Sequence, residues 1–128
     1  MILDSNFLIH LEREQRRNRP GPATAFIVSH ASTPLFITPV IAGEIACGES
    51  MKDRAVWSAF VGFFQSLETT SEVAWQYGEI FRYLKIRGQM IGHNDLWIAA
   101  TGRAYDKTIV TRNTGEFSRI PGLKVETF

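Results

Sequence analysis

Four short apolar runs punctuate this chain: Met1–Asp4, Leu35–Thr38, Lys107–Thr111 and Leu123–Thr127. The stretches between them carry helical spacing of apolar residues. Runs this short and this apolar read as strands buried on both faces rather than as half-exposed strands with alternating polarity. Short buried strands separated by helices indicate an α/β fold whose parallel sheet is covered on both sides. A brief further strand is expected near Leu67–Thr69, making four or five in all.

The intervening helices have legible starts and stops. Ser5 is a candidate N-cap for a helix over Asn6–Glu14, with Phe7, Leu8 and Leu11 on one face. Pro20-Gly21-Pro22 stops any continuation, and Ala23–His30 forms a second helix. Thr38-Pro39 is a hydroxyl cap followed by proline at the first helical position, opening a helix to about Ser50. Lys52–Glu68 places Trp57, Phe60, Phe64 and Leu67 three and four apart. Ser71 caps Glu72–Arg87, where Val73, Tyr77, Ile80 and Leu84 form the apolar stripe. Gly88 and Gly92 bracket a loop before the last long helix, Asn94–Tyr105. Trp57, Trp75 and Trp97 all fall in these apolar patterns and are expected in the core.

At 128 residues the chain is read as a single domain, 1–128, large enough for a core without covalent staples. The net charge of +1 excludes a strongly basic protein but hides a local asymmetry. Arg13, Arg16, Arg17 and Arg19 crowd one segment, whereas residues 20–43 have no ionisable side chain except His30. Such a patch can guide a polyanion. Prolines at 20, 22, 34 and 39 exclude a membrane span there. The single cysteine, Cys47, has no intrachain disulfide partner and is expected to pack against Ile45 and Ala46. With no basic-then-apolar leader at Met1, these features suggest a cytoplasmic protein.

Three carboxylates stand where burial is expected. Asp4 is the only acid in the first nine residues, Glu44 the only charge between Arg19 and Glu49, and Asp95 is alone between Arg87 and Arg103 apart from His93. No Lys or Arg lies within four positions of any of them, so no local helical pair neutralises them. A buried, isolated carboxylate costs several kcal/mol or more unless it is neutralised, paired or metal-bound. Asp4 ends the first strand, Glu44 lies in the helix after the second, and Asp95 lies in the first turn of its helix. Asn113 and Glu116 follow the strand ending at Thr111. In open α/β sheets, the crevice beyond the carboxyl ends of the strands gathers such positions. All-oxygen ligation without a Cys or His cluster points to Mg²⁺ or Mn²⁺, which would activate water and stabilise charge on a phosphodiester. His93, just before Asp95, is read first as a loop or capping residue and second as a phosphate contact; His10 and His30 have no metal-ligand spacing and are expected to be structural or on the surface.

Taken in order, MILDSNFLI, TPVIAGEIACGE and GHNDLWIAATGRAYDKTIVTRNTGEFSRIPGLKVE make the chain resemble the PIN-domain ribonucleases, and more narrowly the VapC-type toxins of toxin–antitoxin pairs. The resemblance spans essentially the whole chain. It implies a three-layer α/β/α fold and a metal-dependent endoribonuclease acting on RNA such as tRNA, with Asp4, Glu44 and Asp95 as metal ligands. Asn113 and Glu116 fall where the family completes its acidic site, while Ser5 and Asn6 match groups that orient water or ligands. A VapB-type antitoxin and a homodimer are the partners it implies. Arg13, Arg16, Arg17, Arg19, His93 and Arg112 are candidate RNA contacts. Competing functions are a non-catalytic RNA- or protein-binding module, a DNA nuclease, and an aspartyl-phosphate phosphatase, whose second acid is absent from Asp4-Ser5-Asn6.

Overall fold

The computed structural model describes residues 1–128. Five strands form one sheet: β1 (Ile2–Leu3), β2 (Phe36–Ile37), β3 (Gln65–Ser66), β4 (Ile109–Val110) and β5 (Val125–Glu126). Their order is β3-β2-β1-β4-β5, and every neighbouring pair is parallel. Ile2 sits opposite Phe36 on one side and Ile109 on the other. The chain therefore builds outward from β1 to β3, then returns to place β4 on the other side of β1. Between β1 and β4 the winding reverses, and a crevice opens there beyond the strand ends.

Helices α1 (Ser5–Arg16), α2 (Pro22–Ser29), α3 (Pro39–Ala46), α4 (Arg54–Val61), α5 (Ser71–Ile86), α6 (His93–Ala104) and α7 (Thr114–Phe117) flank the sheet in a three-layer α/β/α arrangement. Ile2, Leu3, Ile109 and Val110 are wholly buried. At about 1.5–3 kcal/mol per buried aliphatic side chain, the two strands bordering the crevice are firm mounts for the polar residues at their carboxyl ends. The small residues of α6 let it approach closely: a Cβ on Gly102 would come within 2.8 Å of Ile109 and 2.9 Å of Leu123. No helix is long and apolar enough to cross a membrane.

Several boundaries differ from the sequence reading, each for a local reason. Asp4, not Ser5, is the N-cap of α1, its carboxylate accepting from the Phe7 N–H. Thr70, not Ser71, caps α5. α3 stops at Ala46 rather than Ser50, because Gly48 is extended and leads into a 3₁₀ turn over Glu49–Met51. Cys47 is consequently exposed rather than packed in the core. The helix expected over 52–68 is confined to α4. Asp53 caps its start by accepting from the Ala55 and Val56 N–H groups, and Gly62 closes it. Gly62 is required there, since a Cβ would lie 2.7 Å from the Ser58 carbonyl oxygen. The strand near 67–69 is displaced to Gln65–Ser66, an exposed polar edge. Of the tryptophans, Trp57 and Trp97 are half-buried, but Trp75 is 59% exposed beside Arg82.

Candidate active site

Asp4 leaves β1 directly into the crevice, and its side chain is only 4% exposed. The Phe7 N–H donates to Asp4 Oδ1 at 2.8 Å, and the nearby Thr111 hydroxyl and Asn6 N–H also favour its charged form. Burial pushes the Asp4 carboxyl above its ordinary range, the donors oppose this, and the Glu44 charge adds to the rise. Thr111 is itself fully buried at the end of β4. Its Oγ1 accepts from the Asn113 N–H at 2.9 Å, which anchors the turn after β4 beside Asp4.

Glu44 projects from α3 toward the same point. Ser5 Oγ donates to its Oε2, and Asn94 Nδ2 donates to its Oε1 at 3.0 Å. Both carboxylate oxygens are thus held by neutral donors from α1 and α6. Asp95, in the first turn of α6, has no donor of this kind. Its carboxyl is pushed up to about 6, first by burial and then by the charges of Glu116, Glu44 and Asp4 in that order. Glu116, not Asn113, is therefore the acid after β4 that bears most on Asp95. Asn113 instead holds Glu116, its Nδ2 donating to Oε2 at 3.0 Å.

Four carboxylates from four separate segments act on one crevice, and no lysine or arginine is among the groups that shift Asp4 or Asp95. The donor set, all carboxylate oxygen with amide and hydroxyl support, suits a hard divalent cation such as Mg²⁺ or Mn²⁺. The carboxylates are not drawn into a closed cage: no three of them stand at the mutual spacing of a cation's ligands.

The remaining sequence candidates fall into separate places. Ser5 reaches Glu44, whereas Asn6 is exposed and only its backbone N–H bears on Asp4. Arg13 and Arg16 line a trench of about 600 Å³ together with Glu44, Ile45 and Gly48. Arg17 and Arg19, at the exposed end of α1, do not line it. Arg112 lies over the Phe128 ring, 4.6 Å from its centroid, and donates Nε to the Phe128 carbonyl at 3.4 Å. His93 lines the crevice beside Asp95. Sequence reading missed Thr111, Asn94 and Tyr77, whose hydroxyl lies 3.1 Å from His93 Nδ1. Thr111 and Asn94 carried a signal, since each is a polar residue next to a position already singled out.

A family profile described as "PIN domain" matches residues 1–123. The chain belongs to the PIN domain family. Within that family it belongs with the VapC ribonucleases: "Ribonuclease VapC" of Rickettsia bellii is 33% identical over 135 residues, covering 99% of this chain and 95% of the relative. A "tRNA(fMet)-specific endonuclease VapC" of Salmonella typhimurium is 31% identical over 75 residues, covering 59% of this chain and 57% of the relative. Among solved structures, VapBC2 from Rickettsia felis bound to a promoter DNA fragment superimposes with a TM-score of 0.83. It is 22% identical and covers 99% of this chain and 97% of that one, a likeness of fold. The PIN fold expected from the ordered motifs is the fold observed, with β1 and β4 bordering the crevice in which the acids meet.

Proposed function

We propose that this PIN-domain protein is the toxin of a VapBC-type toxin–antitoxin module, an endoribonuclease that hydrolyses RNA phosphodiester bonds with Mg²⁺ or Mn²⁺. The observation that carries the reading is the convergence of Asp4, Glu44, Asp95 and Glu116 on the β1–β4 crevice without a neutralising cationic side chain. Asp4, Glu44 and Asp95 would hold the ion. Bound there, it supplies Lewis acidity, lowering the pKa of water and offsetting charge on the phosphodiester.

The chain's own residues do the positioning. Asp4 and Asp95 are fixed by a strand end and a helix start, so the distance between them is set by the sheet. Ser5 and Asn94 orient the Glu44 carboxylate, and Asn113 orients Glu116. Glu116, exposed on one edge and against Asp95 on the other, is the group that orients the attacking water and takes its proton. Arg13 and Arg16, across Glu44 from α6, engage backbone phosphates on that side. A tRNA is the substrate class favoured by the partial likeness to the Salmonella endonuclease.

A VapB-type antitoxin is the partner proposed to restrain this activity, as the relatives' structures hold such a partner. The surface offered to it includes an apolar hollow of about 290 Å³ between α1, α2 and α4, rimmed by exposed Val28 and Phe63. A second copy of the chain is the other partner proposed, with Trp75 and Ile86 on the outer side of α5 available to it. The deciding experiment maps RNA 5′ ends after brief induction without the partner. Discrete new ends, absent from an Asp95→Asn control, are expected; identical 5′-end profiles would overturn the reading.

A further inference from the structure

The crevice wall formed by the start of α6 carries an arrangement that helix capping does not explain. Gly92 is the N-cap of α6, and no side chain caps that end. His93 is exposed, yet its Nδ1 lies 3.1 Å from the Tyr77 hydroxyl of α5. Tyr77 is itself fixed. Its ring lies 4.1 Å from that of Trp97, tilted by 30°, and 6.5 Å from that of Phe81, nearly parallel. An exposed imidazole is thereby tied to a half-buried aromatic stack that bridges two helices. Tyr77 occupies Nδ1 and leaves Nε2 as the free ring nitrogen, which carries the N–H in the tautomer whose Nδ1 accepts from the Tyr77 hydroxyl.

That edge of the ring is left for the crevice of about 390 Å³ that His93 lines with Glu44, Gly92, Asn94 and Asp95, where no residue is apolar. The acids there repel a polyanion. On the far side of Glu44, Arg13 and Arg16 supply cationic side chains, although Glu12 and Glu49 line the same trench. On the α6 side no lysine or arginine lines the crevice, and Asn94 is already committed to Glu44. His93 is the side chain there with an N–H still to give.

We propose that His93, oriented by Tyr77, grips a backbone phosphate of the nucleic acid on the α6 side of the cleavage point, opposite Arg13 and Arg16. The proposal rests on the ribonuclease reading above. His93 is the substrate contact, and Tyr77 is a positioning residue that acts through it.

Steady-state cleavage of an RNA oligonucleotide in Mg²⁺ by the wild type, His93→Ala, His93→Gln, Tyr77→Phe and the double variant Tyr77→Phe/His93→Gln tests it. His93→Ala should raise KM about tenfold while kcat stays within about threefold, the signature of lost ground-state binding. Tyr77→Phe should raise KM about threefold, because the ring remains but loses its orientation. His93→Gln, whose amide N–H reaches the crevice without needing Tyr77, should recover most of the loss, and adding Tyr77→Phe to it should change nothing further. An unchanged KM in His93→Ala overturns the proposal. So does an equal fall in kcat and melting temperature for His93→Ala and His93→Gln, which marks a structural role. If the wild type cleaves nothing, the ribonuclease reading fails separately. Anisotropy of fluorescein-labelled RNA on the same proteins then decides: weaker binding in His93→Ala with recovery in His93→Gln sustains the contact, and equal affinity overturns it.

Discussion

Glu14 and Asp95 both place a carboxylate at the N-terminus of a helix, where unpaired N–H groups and the helix dipole favour an anion. The fold treats them in opposite ways. Glu14 reaches from α1 to the start of α2, accepting at Oε2 from Gly21 N–H (3.0 Å), Thr24 N–H (2.8 Å) and Thr24 Oγ1 (2.7 Å), and at Oε1 from Ala23 N–H (3.1 Å). Burial raises its pKa, but these donors outweigh burial and hold the carboxyl below its ordinary range. Asp95 meets three other acids instead of donors and is pushed up to about 6. A carboxylate that serves the fold is surrounded by what neutralises it. One retained despite its cost is retained for something outside the fold, the usual trade between stability and function.

The comparison breaks most sharply under mutation. Asp95→Asn and Asp4→Asn should each reduce RNA cleavage by roughly a thousandfold or more, since loss of a group proposed to hold the ion would remove several kcal/mol of charge stabilisation. The melting temperature of metal-free Asp95→Asn should hold or rise, because a repelled charge is gone. Cleavage assays paired with thermal denaturation check both halves; a variant that loses activity and stability together would make Asp95 a structural acid like Glu14.

Glu14→Ala should do the reverse. Leaving the start of α2 without its acceptor should cost about 2 kcal/mol, the range for stranded donors, and lower the melting temperature by roughly 6–10 °C. Its kcat should match the wild type. A matching fall in kcat would mean that α2 supports the crevice more directly than the packing indicates.

A smaller effect separates the two carboxylates by pH. The folded pKa of Asp95, about 6, exceeds its ordinary 3.8, so between these values the folded chain binds the extra proton. Stability therefore falls as pH rises through that window, and the penalty is fully present above it. With Asp95 only half-buried, solvent screening leaves about 1–2 kcal/mol of this. The folded pKa of Glu14 is depressed, so its contribution is present above the unfolded value of 4.5 and is lost as pH falls through the folded value. Urea denaturation in EDTA from pH 7 to 4 should show the stability gap between Asp95→Asn and the wild type narrowing as pH falls. A gap that stays constant would place the Asp95 charge outside the reach of its neighbours.

How much was legible in the sequence depends on the range of the interaction concerned. Asp4, Glu44 and Asp95 stood out because a lone carboxylate in an apolar run is a contradiction visible within a few residues. The Thr38-Pro39 start was equally local, and Thr38 Oγ1 does accept from the Ile41 N–H at 3.2 Å. Asp4 and Ser5 are both good caps, and no local rule assigns the cap to Asp4 while Ser5 turns to Glu44. The strand Gln65–Ser66 has no apolar run at all, being a strand only because β2 pairs with it. Cys47 looked buried among Ile45 and Ala46, but its exposure depends on Gly48 turning the chain away. Glu116 and Asn113 were both named, yet which acts on Asp95 and which holds the other depends on the turn after β4.

The basic side chains divide as the acids do, and they give the smallest test. Arg112 looked like a phosphate ligand beside Asn113, but its guanidinium is stacked on Phe128 and bonded to that residue's carbonyl. Arg13 and Arg16 line the trench that leads to Glu44, with Arg16 partly engaged by Glu12 at 2.9 Å. Arg112→Ala should therefore change the KM for RNA by less than about twofold, because no phosphate contact is lost. Arg13→Ala should raise KM about threefold and reduce the slope of log affinity against log salt by about one contact, measured between roughly 50 and 200 mM salt. Arg16→Ala should fall between them, since part of its charge already serves Glu12. A salt slope that falls with Arg112→Ala and not with Arg13→Ala would reverse the division, placing the RNA over β5 and making the Phe128 contact one that substrate displaces.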